Sequence, residues 1–480
     1  MRLRAAYRIS FDHLAGASRG HVTFRAGTRY FATKTDTKRN HMTDATIANL
    51  RGRRVWDSRG RPTVEVEVTL ENGASGRAIA PAGASMGSGE AVDLRDGGNA
   101  FGGLDVSNAL AGVNGSIASA LRAKDAYDQS GIDAALVELD GTPNLSRLGG
   151  NAVVATSMAV LHAAAASSGQ PLWRYLAGDG PVRMPLPEIQ IFGGGAHAAR
   201  RVDVQDFMVM CPSAGSFSEA LDWTAEVYRA AGALMKQADK LQGVADEGGY
   251  WPAFDSNEEA LEALTRAISD TGLRPGKDVG ISLDIAASEF GRDGRYTLAL
   301  DGRTLDTAQL IDMLGRWLDA YPIVSIEDPL AEDDEPGFRQ FTQTYGSRCQ
   351  IIGDDFLVTN AARVEAAASS GAVNAVLIKP NQAGTVSEAH AALRAGKKAG
   401  FGTIVSARSG ETEDVTIAHL AVGWNAGQLK VGSFSRSERM AKWNEVLRIE
   451  EALGKQALFS GWAALPFYGA SATAPGGTRV

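Results

Sequence analysis

The chain has 480 residues, 44% apolar and 22% charged, with a formal net charge of -8; this argues against a broad nucleic-acid footprint and leaves any anionic substrate to local basic residues. Cys211 and Cys349 are the two cysteines and lack CxxC spacing, which argues against a disulfide framework, a zinc site or an iron–sulfur cluster. No apolar run approaches the roughly 20 residues that span a bilayer, so a protein without membrane partners in a reducing, cytoplasmic setting is expected.

Residues 1–44 carry Arg2, Arg4, Arg8, Arg19, Arg25 and Arg29 among few acids and scattered Ser and Thr. This composition suits an organellar transit peptide or a disordered extension upstream of a start at Met42; the lack of a convincing amphipathic helix favours the extension. Residues 45–182 read as a small α+β domain. TVEVEVTL at 63–70 alternates with period two and meets the turn Glu71-Asn72-Gly73, the signal of a meander. After the glycine-rich loop PAGASMGSG at 81–89 the pattern turns helical and ends in an alanine-rich stretch at 151–168. From 183 to 466, short apolar strands alternate with amphipathic helices. Capping-box spacing opens helices at Ser216 with Glu219, Ser256 with Glu259, and Thr385 with Glu388. This repeated βα rhythm suits a closed barrel of about 250 residues, and no GxGxxG fingerprint follows a strand. Residues 467–480 are of low complexity and are expected to form a flexible tail.

Five segments of the second region carry the chemistry. SLDIAASEF, IVSIEDPL, IIGDDF, AVLIKPN and SARSGETED set Asp284, Glu327, Asp354, Lys379 and Arg408 at strand ends, which converge on one mouth in a β/α barrel. Three carboxylates meeting there repel one another unless a cation sits between them, and oxygen-only ligands favour a hard ion, so Mg²⁺ is expected. The alternative is that each acid caps the helix that follows. Close to such a cation Lys379 has a lowered proton affinity and suits a general base, the alternative being an ion pair to one of the acids. Arg408 and Lys430 add fixed positive charge for a phosphate or carboxylate. In VADEGGY, the pair Asp246-Glu247 precedes two glycines that allow close backbone approach to a ligand, so a general acid there competes with a turn acid. His197, in GGGAHAA, is either structural or part of a mobile loop that closes over the ligand.

From about 45 to 461 the motifs WDSRGRPTVEVEV, PAGASMG, LRDG, LDGTPNLSRLGGNA, HAARRVDVQDFM, DEGGY, LDIAASEF, SIEDPLAEDD, GDDFLVTN, LIKPNQAGT, SARSGETED and SRSERMAKWNEVLRIEEALG, in this order, resemble the enolases, the phosphopyruvate hydratases of glycolysis. The resemblance implies an α/β fold of the enolase type: an N-terminal α+β domain and then a modified (β/α)8 barrel that begins with two strands and two helices. It implies that Asp284, Glu327 and Asp354 hold a first Mg²⁺ and that Ser85 helps hold a second. Lys379 matches the base that takes the C2 proton of 2-phosphoglycerate, and Glu247 the acid that assists loss of the C3 hydroxyl. Gln205, Asp206, His197, Arg408, Ser409 and Lys430 fall at substrate contacts. A small anionic phosphorylated substrate and a homodimer are implied as well, with no nucleic-acid partner.

The chain departs from the family pattern close to these positions. Asp206 stands where the family has Glu, and Ala407 where it has His before the Arg-Ser pair; Met86, Ala82, Ala196 and Ala245 replace Thr, Ser, Ser and Gly, while Leu145 and Gly150 differ farther away. The leading reading is a Mg²⁺-dependent lyase acting on 2-phosphoglycerate. A second is a paralogue acting on a related phospho or phosphono hydroxy acid, as in the carboxyphosphonoenolpyruvate synthases. A third is a non-catalytic scaffold that kept the fold, against which the complete set of acids weighs.

Overall fold

The computed structural model describes residues 45–470 apart from Ser85. The expectations for residues 1–44, for Ser85 and for the tail beyond 470 lie outside the described residues.

The first described region opens on an antiparallel meander of β1 (Ile47–Trp56), β2 (Pro62–Leu70) and β3 (Ser75–Ile79). Period-two alternation fixes its faces: Val64, Val66 and Val68 are buried, while Glu67 on the other face accepts a hydrogen bond from Arg53 at 2.8 Å. The sheet packs on α1 (Gly150–Ser167), whose apolar residues run all round the helix because nearly every side of it is buried. The approach is close enough to demand glycine in β3. A Cβ at Gly76 would lie 2.1 Å from Ala163 N and 2.3 Å from Ala159 O.

The second region closes into an eight-stranded barrel of β4 (Leu186–Gly193), β5 (Asp206–Met210), β6 (Gly280–Asp284), β7 (Ile323–Glu327), β8 (Gln350–Gly353), β9 (Ala375–Ile378), β10 (Gly402–Ser406) and β11 (Gly427–Ser433). Strand β5 is antiparallel to both neighbours and the remaining pairs are parallel. Two helices, α2 (Phe217–Gln237) and α3 (Asn257–Asp270), separate β5 from β6, so the barrel starts with two strands and two helices. Most strands are buried along their whole length, as expected of a sheet walled by helices outside and side chains inside.

The predicted helix starts are present. Ser216, Ser256 and Thr385 each accept from the backbone N–H three residues on. The glutamates at the first two reach one residue farther back than a strict box, to the N–H of Gly215 and Asp255. A complete box occurs where the sequence reading found none, between Asp306 and Gln309. Past residue 467, the short helix Pro466–Ala470 continues the ordered chain, and Trp462 stacks on Tyr468 with ring centroids 5.5 Å apart.

Strand register gathers the site. Glu327 lies opposite Asp284 on β6, Asp284 opposite Asp206 on β5, and Ser406 opposite Lys430 on β11. Because β5 runs the other way, its first residue is at the mouth where the parallel strands have their last.

Candidate active site

At the strand ends two lysines knit three acids together. Lys430 Nζ lies 2.7 Å from Glu327 Oε2, 3.0 Å from Asp284 Oδ2 and 3.6 Å from Asp206 Oδ2. Lys379, the residue after β9, donates to Asp354 Oδ2, and Gln382 donates to the other Asp354 oxygen at 2.9 Å. Gln205 Nε2 donates to Asp284 at 3.1 Å. All of these side chains are buried, so their charges interact with little water between them.

Facing them is a second cluster. His197 sits in the 3-10 turn Gly195–Ala198 after β4, with Nδ1 3.1 Å from Asp206 Oδ1 and Nε2 3.7 Å from Glu247 Oε1. Gln190 donates to the same Asp206 oxygen. The bend after Glu247 needs glycine, since Gly248 has φ +96° and a Cβ there would meet Ser435 O at 2.6 Å. Between the clusters lies a cleft of about 340 Å³ walled by His197, Gln205, Asp206, Glu247, Asp284, Lys379, Ala407, Arg408, Ser409 and Lys430, a size that fits a small polar ligand. The fold thus brings together every described residue singled out in the sequence. Glu327 and Asp354 stand behind the wall, joined to it through the two lysines.

Two family models match the chain, "Enolase, N-terminal domain" over residues 47–176 and "Enolase, C-terminal TIM barrel domain" over residues 181–466. The chain belongs to the enolase family. A curated relative, Enolase 1 of Desulfitobacterium hafniense (strain Y51), is 50% identical over 416 residues, which cover 86% of this chain and 95% of the relative. As a member of the enolase family the protein is an enzyme, a carbon–oxygen lyase of the phosphopyruvate hydratase class.

The enolase family is metal-dependent, and the donor set here suits a hard cation. It is all oxygen and buried, and Glu327 Oε1 has no hydrogen-bond partner. Positive charge among the three acids is supplied by the two ammonium groups. The acids are not gathered oxygen to oxygen: among the described residues, the triads with ligand atoms within 4.8 Å of one another are His197, Asp206 and Glu247, and Asp328, Asp354 and Asp355. The latter triad has a structural account, because the two Asp328 oxygens accept the backbone N–H groups of Asp354 at 2.9 Å and Asp355 at 2.8 Å.

The protonation pattern follows from burial and pairing. Burial, then the Asp284 charge, pushes the Glu327 carboxyl well above the usual carboxylate range. Burial alone would lower Lys379, but the Asp354 carboxylate outweighs it and raises the ammonium pKa, while Lys379 in turn holds Asp354 down against its own burial. The lowered proton affinity expected for Lys379 is therefore absent without a divalent cation, because its nearest partner is a carboxylate. Burial would also lower His197, yet Glu247 and Asp206 hold it up at about 9.

Several participants escaped the sequence reading. Glu90 is a buried partner of Arg408, accepting from its guanidinium at 2.8 and 3.3 Å, and also accepts from Gln382 at 3.2 Å and from Gly87 N at 3.0 Å. Both acid and amide adjoin recognised motifs, Glu90 immediately after PAGASMGSG and Gln382 within LIKPNQAGT. Gln190 had no signal beyond its place on an apolar strand.

Proposed function

We propose that the protein interconverts 2-phosphoglycerate and phosphoenolpyruvate with two Mg²⁺ ions per site, as a cytoplasmic homodimer in glycolysis and gluconeogenesis. The observation that carries this reading is the placement of one lysine, Lys379, across a small polar cleft from the acid Glu247, with a buried all-oxygen donor set behind it. Asp284, Glu327 and Asp354 would hold the first ion, and Ser85 would help hold the second. Bound there, the ions supply positive charge that stabilises the doubly negative carboxylate created when a proton leaves the neighbouring carbon.

The side chains divide the remaining work. Arg408 and Ser409 grip the phosphate, with the planar guanidinium matching two of its oxygens. Lys379 Nζ removes the C2 proton once a cation displaces it from Asp354 and lowers its proton affinity. Lys430 adds fixed charge against the carboxylate, and Gln205 orients it. Glu247 delivers a proton to the departing C3 hydroxyl so that it leaves as water, with the His197 imidazolium as the neighbouring proton reservoir, held by Asp206. Absorbance of the enolic product tests the reading: purified protein with 2-phosphoglycerate gives a signal that requires Mg²⁺, and its absence rejects the assignment.

One observation favours a second reading, a related phospho or phosphono hydroxy acid as substrate. Ala407 leaves part of the cleft wall beside Arg408 small, and Asp206 is drawn onto Gln190 and His197. Turnover of such an acid with no turnover of 2-phosphoglycerate would select it.

A further inference from the structure

Three segments far apart in sequence meet at Arg59, which no step of the proposed reaction uses. Its side chain is 6% exposed. Nη2 donates to Ala82 O at 3.0 Å and Gly83 O at 3.2 Å, and Nη1 donates to Ser409 Oγ at 3.2 Å. The base of the side chain is fixed in its turn: Asp57 Oδ1 accepts from Arg59 N at 2.9 Å and from Arg61 N at 2.8 Å, and Asp57 Oδ2 lies 3.8 Å from Arg59 Nε. Alongside, Ala82 and Gly410 exchange backbone hydrogen bonds of 2.9 and 2.8 Å.

Beyond this point the loop is tied down again. Glu90 accepts from Gly87 N and from Arg408, and Ser88 N and Oγ both donate to Glu332 at 2.9 Å. Between the two anchors lie Ala84, which lines the cleft, and Met86, which is 67% exposed. At each end the loop is thus held by a side chain that also holds one member of the Arg408–Ser409 pair.

We propose that Arg59 is a positioning residue that sets the glycine-rich loop and the Ser409 hydroxyl in one geometry, so that anion binding at Arg408–Ser409 and the position of residues 83–87 are coupled. The planar fork is essential. A guanidinium reaches two carbonyls and a hydroxyl at once, whereas an ammonium on a single point keeps the charge and loses that geometry. The desolvation cost of burying the guanidinium, which lowers its pKa, is met because the loop carbonyls themselves accept its hydrogen bonds. The proposal rests on the reading of the cleft as an anion site.

The test compares the full chain with Arg59→Lys and Arg59→Ala. Inorganic phosphate affinity is measured by titration, kcat and KM with 2-phosphoglycerate, and cleavage within residues 83–87 by limited proteolysis with and without phosphate. Both variants are expected to bind phosphate about ten-fold more weakly and to raise KM by a similar factor, with kcat changed less than about three-fold, the scale of one lost charge-assisted hydrogen bond. Phosphate protects the loop of the wild type and not that of the variants, and added guanidinium restores Arg59→Ala without affecting the wild type. Unchanged phosphate affinity and KM in a folded variant, or a loss that guanidinium does not reverse, overturns the proposal. Should wild-type protein fail to turn over 2-phosphoglycerate, the proposed function falls, while phosphate affinity and loop cleavage still decide the role of Arg59.

Discussion

Replacing Lys430 by Met exposes the electrostatic balance of the site. The ammonium lies 3.0 Å from Asp284 and 2.7 Å from Glu327, and at an effective dielectric of about 20 each contact corresponds to roughly 5–6 kcal/mol of attraction. Desolvation of the buried lysine offsets much of that, and removing one partner of a buried ion pair costs on the order of 3–5 kcal/mol because the remaining charges are left uncompensated. Glu327 is already pushed towards its protonated form, so the lower end, about 3 kcal/mol, applies. With an unfolding entropy of about 2.1 cal/mol/K per residue over roughly 430 ordered residues, the midpoint falls by about 3–4 °C. The decisive assay is thermal unfolding of Lys430→Met and wild type in chelator and in Mg²⁺. A cation among Asp284, Glu327 and Asp354 supplies the missing charge, so Mg²⁺ should recover most of the loss. An equal deficit in both buffers would refute the account of the acids as a cation site.

Other consequences follow from separate parts of the molecule. Gly76→Ala drives a Cβ into the backbone of α1 and should cost about 3 kcal/mol in denaturant unfolding; a loss under 1 kcal/mol would mean that the helix can move away. Glu188, buried inside the barrel with its pKa raised by burial to about 7, contributes stability that is fully present below its unfolded value and is lost as pH rises through 7. Glu188→Gln should therefore gain up to about 3 kcal/mol relative to wild type between pH 5 and pH 8, and a pH-independent difference would contradict this. Asp206→Glu combined with Ala407→His should raise kcat/KM on 2-phosphoglycerate if these two positions tune the cleft; no change leaves them without a role in substrate choice.

The acids were legible because each ends an apolar strand and a barrel leaves such ends one place to go. Gln205 and Asp206 reach the same mouth for a different reason: β5 is reversed, so that its start, and not its end, faces the cleft. The resemblance, more than periodicity, carried that point. Glu90 and Arg59 were beyond local pattern, since an Arg at a turn and a Glu after a glycine-rich loop read as solvated until the two regions pack and bury them against Arg408 and Ser409. Charge state was harder still, because the pKa of Lys379 depends on whether its nearest neighbour is Asp354 or a divalent cation.

Exchange of the C2 proton of 2-phosphoglycerate with solvent deuterium, followed by NMR in Mg²⁺, separates the two halves of the cleft most directly. The account predicts that Lys379→Ala abolishes exchange, while Glu247→Gln, which cannot assist loss of the hydroxyl, blocks conversion yet still exchanges the proton. Exchange that persists in Lys379→Ala would contradict the assignment of the base.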